Sequence, residues 1–379
     1  MPVRLALAGE NSMPVKSAAA LLESIFAQNG GNAFVASNQL KALEFFIIPG
    51  QSGPRWIVPA SMHLGLPVLS EWRPYSLVSM VKWNALCFAY ANGFLGIVPF
   101  VNCVSGNYYI QKIPGDSREV IPIIYIGTVG PQQKAVVTLV SPGDGQPHAV
   151  MKVALGCGAN ASLLREVEAL KQLVRSNVRG VPVVIASETD GKKTWQSVVS
   201  GQLTSRKLTQ AHLDWLLQLP QSEKTTTLDE RRELLRFDLH RNLIICPTHR
   251  QIISAALSAL RGGEVPLVFV HGDFAPWNLK KQPDGKIAAI DLEDSVSTGL
   301  PLWDLCHFFF IQAHLFNDSS PVKRLLECSL VKSYIDTFRL IDKQVNSLLL
   351  CYAIGTIINK KCDYNYQLFL VKYIINKYI

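Results

Sequence analysis

Between Val268 and Asp304 the chain sets out residues that could handle a phosphate and a divalent cation. His271, Asp273 and Asn278 are spaced H-x-D-x-x-x-x-N, and a further acid, Asp291, follows. An apolar run, Val265–Val270, reads as a buried strand that delivers the first three onto a loop containing Pro276. Pro283-Asp284-Gly285 is a turn signal, and Lys286–Ile290 reads as the strand that delivers Asp291. Asp, Asn and Asp gathered at the ends of one hairpin suit magnesium, which takes oxygen ligands and is commonly held by one or two carboxylates together with substrate phosphates.

Other elements must position a nucleotide. Val120–Gly127, Ala135–Val140 and Ala149–Ala154 are strand-like, and Val181–Ala186 and Thr194–Val199 complete a small sheet. The turn between the first two contains Gly127 and Gly130, whose backbone N–H groups can lie near phosphate oxygens. Lys152 interrupts the apolar third strand. A helix is expected from Ser162 as N-cap, with Leu163, Val167, Leu170 and Val174 on one face. Glu166 lies nearer that face than Glu168 and is the better placed to reach back to Lys152. Val198–Gly201 reads as a hinge. Helices are expected over Thr209–Gln218, Leu228–Leu243, Gln251–Arg261, Phe308–Leu315, Val322–Leu340 and Val345–Ile358.

The His-Gly-Asp window, the Asp-Leu-Glu that begins at Asp291 and the later Gly299-Leu-Pro-Leu-Trp-Asp304-Leu together resemble the aminoglycoside phosphotransferase family. The resemblance covers roughly residues 120–310. It implies an α+β, bilobal protein-kinase-like fold with a small antiparallel β lobe over 116–200 and a large helical lobe over 201–379. Residues 1–115 are left as an N-terminal extension of unknown role. It implies ATP and magnesium as cofactors and a small molecule bearing a hydroxyl as acceptor. By the family pattern Asp273 is the catalytic residue and Asn278 and Asp291 hold the metal. Lys152, paired with Glu166, contacts the nucleotide phosphates, and Gly127 and Gly130 lie beside them. His271 and Asp304 support the loop. Glu293 and Asp294 either add to metal or acceptor binding or form a solvated turn.

Composition narrows the field. Of 379 residues 48% are hydrophobic and 17% charged, which describes a chain able to build large cores. A net charge of +8 without a long Lys/Arg run does not indicate nucleic-acid binding. Neither G-x-x-x-x-G-K-[ST] nor G-x-G-x-x-G occurs, which disfavours P-loop and dinucleotide folds. Eight cysteines with no C-x-x-C pair speak against zinc, and with no secretory leader in view a cytoplasmic protein is expected.

In the extension, Ser17–Ala27 suits an amphipathic helix, and Leu43–Ile48 and Trp56–Pro59 suit two strands around a turn. Trp83–Val101 carries no charge and is expected to be a buried core helix, with membrane contact as the lesser reading. Residues 321–379 hold nine Lys/Arg against four Asp/Glu, a net of +5, which favours a neutral or anionic sugar-like acceptor over a polycation. Two other readings stand beside the kinase: a nucleotide-binding pseudokinase and a membrane-surface protein.

Overall fold

The structure is a computed structural model that describes residues 42–50, 53–107, 111–242, 245–359 and 364–377. The helix expected at Ser17–Ala27 lies outside them. The chain divides into two compact units. One holds residues up to Lys171 with Pro182–Gln202; the other holds Gln172–Val181 with Leu203–Ile379.

The first unit is built on a nine-stranded sheet of β1 (Ala42–Gly50), β2 (Gly53–Pro59), β3 (Asn102–Asn107), β4 (Gln111–Lys112), β5 (Glu119–Ile126), β6 (Lys134–Val140), β7 (Pro147–Ala154), β8 (Val184–Ser187) and β9 (Lys193–Ser197). Its order is β3-β1-β2-β5-β6-β7-β9-β8, with β4 added to β5, and the paired strands run antiparallel. β-Branched residues favour the central strands, and burial alternates along them where one face meets the core. In β6, Ala135, Val137 and Leu139 are buried while Lys134, Val136 and Thr138 are less so.

The sheet does not begin where the sequence suggested a boundary near 115. Strands β1, β2 and β3 come from the stretch set apart as an extension, and Trp56 and Ile57 of β2 pair with Tyr125 and Ile124 of β5. Long-range pairing of this kind leaves no local periodicity in the sequence. Two helices, α1 (Met62–Glu71) and α2 (Leu77–Ala91), pack beside β2. Trp56, Trp72 and Trp83 cluster with centroids 4.5–6.0 Å apart, and the Tyr90 hydroxyl donates to the Pro59 carbonyl at 2.7 Å.

The expectation of a buried core helix over Trp83–Val101 is overturned. Helix α2 starts earlier, at a Ser76 cap, and ends at Ala91, before Gly93. Only Trp83 and Tyr90 on it are buried, whereas Leu77, Val81 and Phe88 are exposed on the opposite face. Absence of charge in the sequence did not distinguish one buried face from burial all round. No helix among the described residues is long and apolar enough to cross a membrane.

Helix α3 (Ala159–Arg175) follows β7. It starts three residues before the expected cap. Ser162 is therefore inside it, donating to Gln132 Oε1 at 2.6 Å. Leu163, Val167 and Leu170 are buried as expected, but Val174 is exposed and Leu173 takes the inward place.

The second unit is mainly helical: α4 (Gln210–Leu217), α5 (Leu228–Arg241), α6 (Pro247–Leu257), α7 (Trp303–Leu315), α8 (Ser320–Arg324), α9 (Ser329–Thr337), α10 (Asp342–Asn359) and α11 (Tyr364–Tyr373). Two of the starts have a local cause in the sequence. Thr227 and Glu230 form a capping box for α5, and Pro247 occupies the first turn of α6, which moves that start ahead of the expected Gln251. The long segment expected over Val322–Leu340 is broken into α8 and α9. Two short antiparallel sheets lie among these helices. One contains β10 (Gln221–Thr227), β11 (Glu264–Val270) and β14 (Val296–Gly299); the other contains the hairpin of β12 (Leu279–Lys281) and β13 (Ile287–Ala289). An antiparallel sheet unit and a helical unit are thus both present, as the α+β expectation required.

His212 closes the capping box of α4 by accepting the Thr209 N–H at Nδ1, while its buried Nε2 finds no partner. Burial lowers its pKa from 6.5 to about 4. The unfolded chain therefore binds the extra proton first, so stability falls as pH drops from 6.5 towards 4. We expect His212→Gln, which can still cap, to remove about 2–3 kcal/mol of the stability lost between pH 7 and 4.5, measured by urea unfolding at each pH.

Candidate active site

Strand β11 ends at Val270 and hands the chain to His271, Gly272 and Asp273. The loop is held from below by Asp304, in the first turn of α7. Its Oδ2 accepts the His271 N–H at 2.8 Å and its Oδ1 the Gly272 N–H at 2.9 Å. Burial pushes the Asp304 carboxyl above the ordinary carboxylate range, while His271 and the two N–H donors pull it back. Gly272 sits at φ +84°, and a Cβ there would meet the Asp294 carbonyl oxygen at 2.0 Å. No other residue type fits without moving the backbone.

His271 is fully buried, and its ring ties the two halves of the site together. Nδ1 lies 3.3 Å from the Asp273 N–H, which donates to it, so Nε2 carries the hydrogen and donates to the Ile290 carbonyl at 3.1 Å. Across the hairpin the Ile290 N–H donates to the Asn278 carbonyl at 2.9 Å, and Leu279 pairs with Ala289. This register brings Asn278 alongside Ile290, one residue from Asp291. Asp291 has φ +66°, a left-handed conformation that Asp tolerates better than most side chains. One hairpin and one histidine thus tie the backbone at Asp273 and Asn278 to Ile290, the residue before Asp291. Glu293 is half-buried and Asp294 exposed in the turn that follows, where the Ser295 N–H donates to the Leu292 carbonyl.

The Asp273 carboxylate is gripped at both oxygens. Asn278 Nδ2 donates to Oδ2 at 2.8 Å and also to the Asp273 carbonyl at 3.0 Å. His307 Nε2 lies 2.6 Å from Oδ1. His307 is absent from the sequence-derived site. It sits three residues after Asp304 in the run Leu-Cys-His-Phe-Phe-Phe, and a lone polar side chain among buried apolar ones was the available signal. The side chain of Asp273 remains 32% exposed, against 4% for His307, so the carboxylate is anchored yet reachable.

The donor set suits a magnesium ion held jointly with nucleotide phosphates. The Asn278 amide nitrogen is committed to Asp273, so its Oδ1 is the atom that could ligate a metal, and Asp291 could supply a carboxylate. Among the described residues no cluster of three or more His, Cys, Asp and Glu forms a metal site. A phosphate-shared magnesium does not need one.

In the sheet unit, Lys152 on β7 and Glu166 on α3 form a buried ion pair, with Nζ 2.6 and 2.8 Å from the two carboxylate oxygens. Glu168 is exposed and pairs instead with Lys171 at 2.9 Å. The β5–β6 turn carrying Gly127 and Gly130 folds partly on itself. The Gly127 N–H donates to Lys134 and the Gln133 N–H to Gly130, so those two donors are spent within the turn. Its carbonyls accept from the β7–α3 connection, where Leu155 and Gly156 donate to Gln133 and Gly158 to Pro131.

Residues 135–324, half of the chain, match the model of a phosphotransferase enzyme family, APH. No curated protein matches the chain. Similar solved structures include a putative fructosamine-3-kinase from Thermobifida fusca YX-ER1 at 17% identity, covering 68% of this chain and 93% of that one with a TM-score of 0.46. The ADP-bound aminoglycoside phosphotransferase APH(2'')-Ib is similar at 15%, 66%, 91% and 0.41 on the same measures. Choline kinase LicA from Streptococcus pneumoniae is similar at 13%, 68%, 93% and 0.43. Such low values say nothing of this chain's acceptor.

Removing the Asp304 carboxylate leaves two buried N–H groups without acceptors, each costing about 1–3 kcal/mol. We expect Asp304→Ala to lower the stability of the helical unit by about 2–5 kcal/mol and Gly272→Ala to destabilise it as well. Chemical denaturation with near-UV circular dichroism measures both.

Proposed function

The chain belongs to the phosphotransferase enzyme family, and on that footing we propose that it is an ATP-dependent kinase that moves the γ-phosphoryl group to a hydroxyl of a small molecule, a neutral or anionic sugar-like acceptor. The observation that carries this reading is the Asp273 carboxylate, fixed by Asn278 and His307 yet open to a ligand.

In this reading an Asp273 oxygen accepts the proton of the acceptor hydroxyl as the acceptor oxygen bonds to the γ-phosphorus. The bond from that phosphorus to the β–γ bridging oxygen breaks, and ADP leaves with the electron pair. Asn278 and Asp291 hold magnesium, which when bound neutralises phosphate charge. Lys152, oriented by Glu166, brings a point charge to the phosphates. His271 and Asp304 keep the loop in shape. Catalysis of this kind rests on alignment more than on covalent chemistry, which is what a carboxylate anchored at both oxygens supplies.

The acceptor class rests on charge. Seven of the nine basic residues in 321–379 lie among the described residues, namely Lys323, Arg324, Lys332, Arg339, Lys343, Lys372 and Lys377. All seven are exposed, so their field reaches solvent. Such a field repels polycations and attracts anions.

We expect magnesium-dependent ATP consumption with one member of a sugar, polyol and amino-alcohol panel read by mass spectrometry. Asp273→Asn should lower kcat by on the order of 100-fold or more while nucleotide still binds. A chain that binds nucleotide and phosphorylates nothing in the panel would be a pseudokinase instead. A polyamine antibiotic as the preferred acceptor would overturn the charge argument.

A further inference from the structure

His307 lies in a buried chain of polar groups that leads away from Asp273. Its Nε2 is 2.6 Å from Asp273 Oδ1, and its Nδ1 is 3.0 Å from the Tyr352 hydroxyl. The Tyr352 hydroxyl is in turn 2.9 Å from that of Tyr366. His307, Tyr352 and Tyr366 are all buried, and the aromatic rings of Trp303 and Phe310 pack against Tyr352 at 5.1 and 5.5 Å. The chain joins three helices of one unit, α7, α10 and α11, to the carboxylate on the loop.

A nitrogen 2.6 Å from a carboxylate oxygen must share a hydrogen with it, which requires one on Nε2. The neutral ring then has a bare Nδ1 that needs a donor. The Tyr352 phenol is that donor, since burial keeps its pKa well above 10 and the O–H stays protonated. A doubly protonated ring would pair with the carboxylate and turn an Nδ1–H towards Tyr352, whose hydroxyl would then have to accept, whereas the neutral ring keeps the phenol as donor.

We infer that His307 is a positioning residue for Asp273: its Nε2–H fixes the carboxylate rotamer, and Tyr352, backed by Tyr366, fixes the tautomer of His307. The inference deepens the kinase reading and rests on it for the role of Asp273. It gives the reactive carboxylate two side-chain guides of different origin, Asn278 from its own loop and His307 from α7. Rotation of Asp273 would misplace the accepting oxygen, and an error of about 1 Å in such a group costs about 100-fold.

Three substitutions separate positioning from packing. Gln places its amide nitrogen three bonds from Cβ, as Nε2 is, so His307→Gln can still donate to Asp273. His307→Asn reaches only as far as Nδ1, and His307→Leu suits the apolar surroundings but donates nothing. With ATP and the acceptor returned by the panel, we expect His307→Gln to keep kcat within a few-fold. His307→Leu and His307→Asn should lose about 10- to 100-fold in kcat with nucleotide KM unchanged. Equal kcat for His307→Leu and His307→Gln would overturn the inference. Independently of any acceptor, the full chain labelled with 15N-histidine reports the tautomer, with the His307 signals identified by their loss in His307→Gln. A proton on Nε2 and a bare Nδ1, with tautomers mixing in Tyr352→Phe, is the expected result. A proton on Nδ1, alone or in an imidazolium, overturns it. The kinase reading is tested by transfer in the unsubstituted chain, so the two can fail separately.

Discussion

The helical unit depends on one carboxylate held away from water. Asp304 receives the first two N–H groups of the loop that follows β11, and so replaces backbone partners that no strand or helix supplies there. Because α7 is packed on both sides by apolar residues, the carboxylate cannot move without the helix. The loop therefore inherits the rigidity of the core. Gly272 follows from the same clamp: pulling two successive N–H groups onto one carboxylate bends the backbone to φ +84° and presses it against Asp294, where a side chain has no room. His271 then spans from the loop to Ile290 and transmits the same constraint to the hairpin that carries Asn278 and Asp291.

The sheet unit solves its own problem in a parallel way. Lys152 is surrounded by the apolar residues of β7 and would be a buried charge if left alone. Glu166, one turn into α3 beyond Leu163, cancels it with two short contacts. A buried pair of this kind is weak evidence for stability, because two desolvation costs stand against one attraction. Its value is geometric: it holds the ammonium at one place on an otherwise apolar surface. Packing of Leu163, Val167 and Leu170 against the sheet holds Glu166, so the position of the lysine is ultimately set by the core.

The parts of this arrangement that could be read in the sequence are those whose cause is local. The H-x-D-x-x-x-x-N spacing, the Pro283–Gly285 turn and the helical phase that separates Glu166 from Glu168 all lie within one or two elements. The Ser162 cap was misread for the same reason in reverse. Its hydroxyl serves Gln132, thirty residues earlier, and nothing nearby reveals that. His307 was missed because its partners, Asp273 and Tyr352, are 34 and 45 residues away. The strands over 42–107 looked like a separate extension because their pairing with β5 depends on distant register. Helix α2 looked buried because its exposed face is as apolar as its buried one, so sequence pattern carried no phase to read.

Three aspartates in this unit share one side chain and differ only in what surrounds it, and that difference assigns their work. Asp304 is buried and its two oxygens take the backbone donors of the loop, so a substrate does not reach it and it serves the fold. Asp273 is held by side-chain donors, one on each oxygen, and a third of its side chain remains open. Each oxygen has a second lone pair, so it can hold its orientation and still accept a proton. Asp291 follows the strand end at φ +66°, a left-handed conformation that sets its backbone apart from the extended residues before it. The roles proposed for the three thus follow from their surroundings: burial and backbone donors for Asp304, side-chain donors and exposure for Asp273, and the left-handed strand end for Asp291.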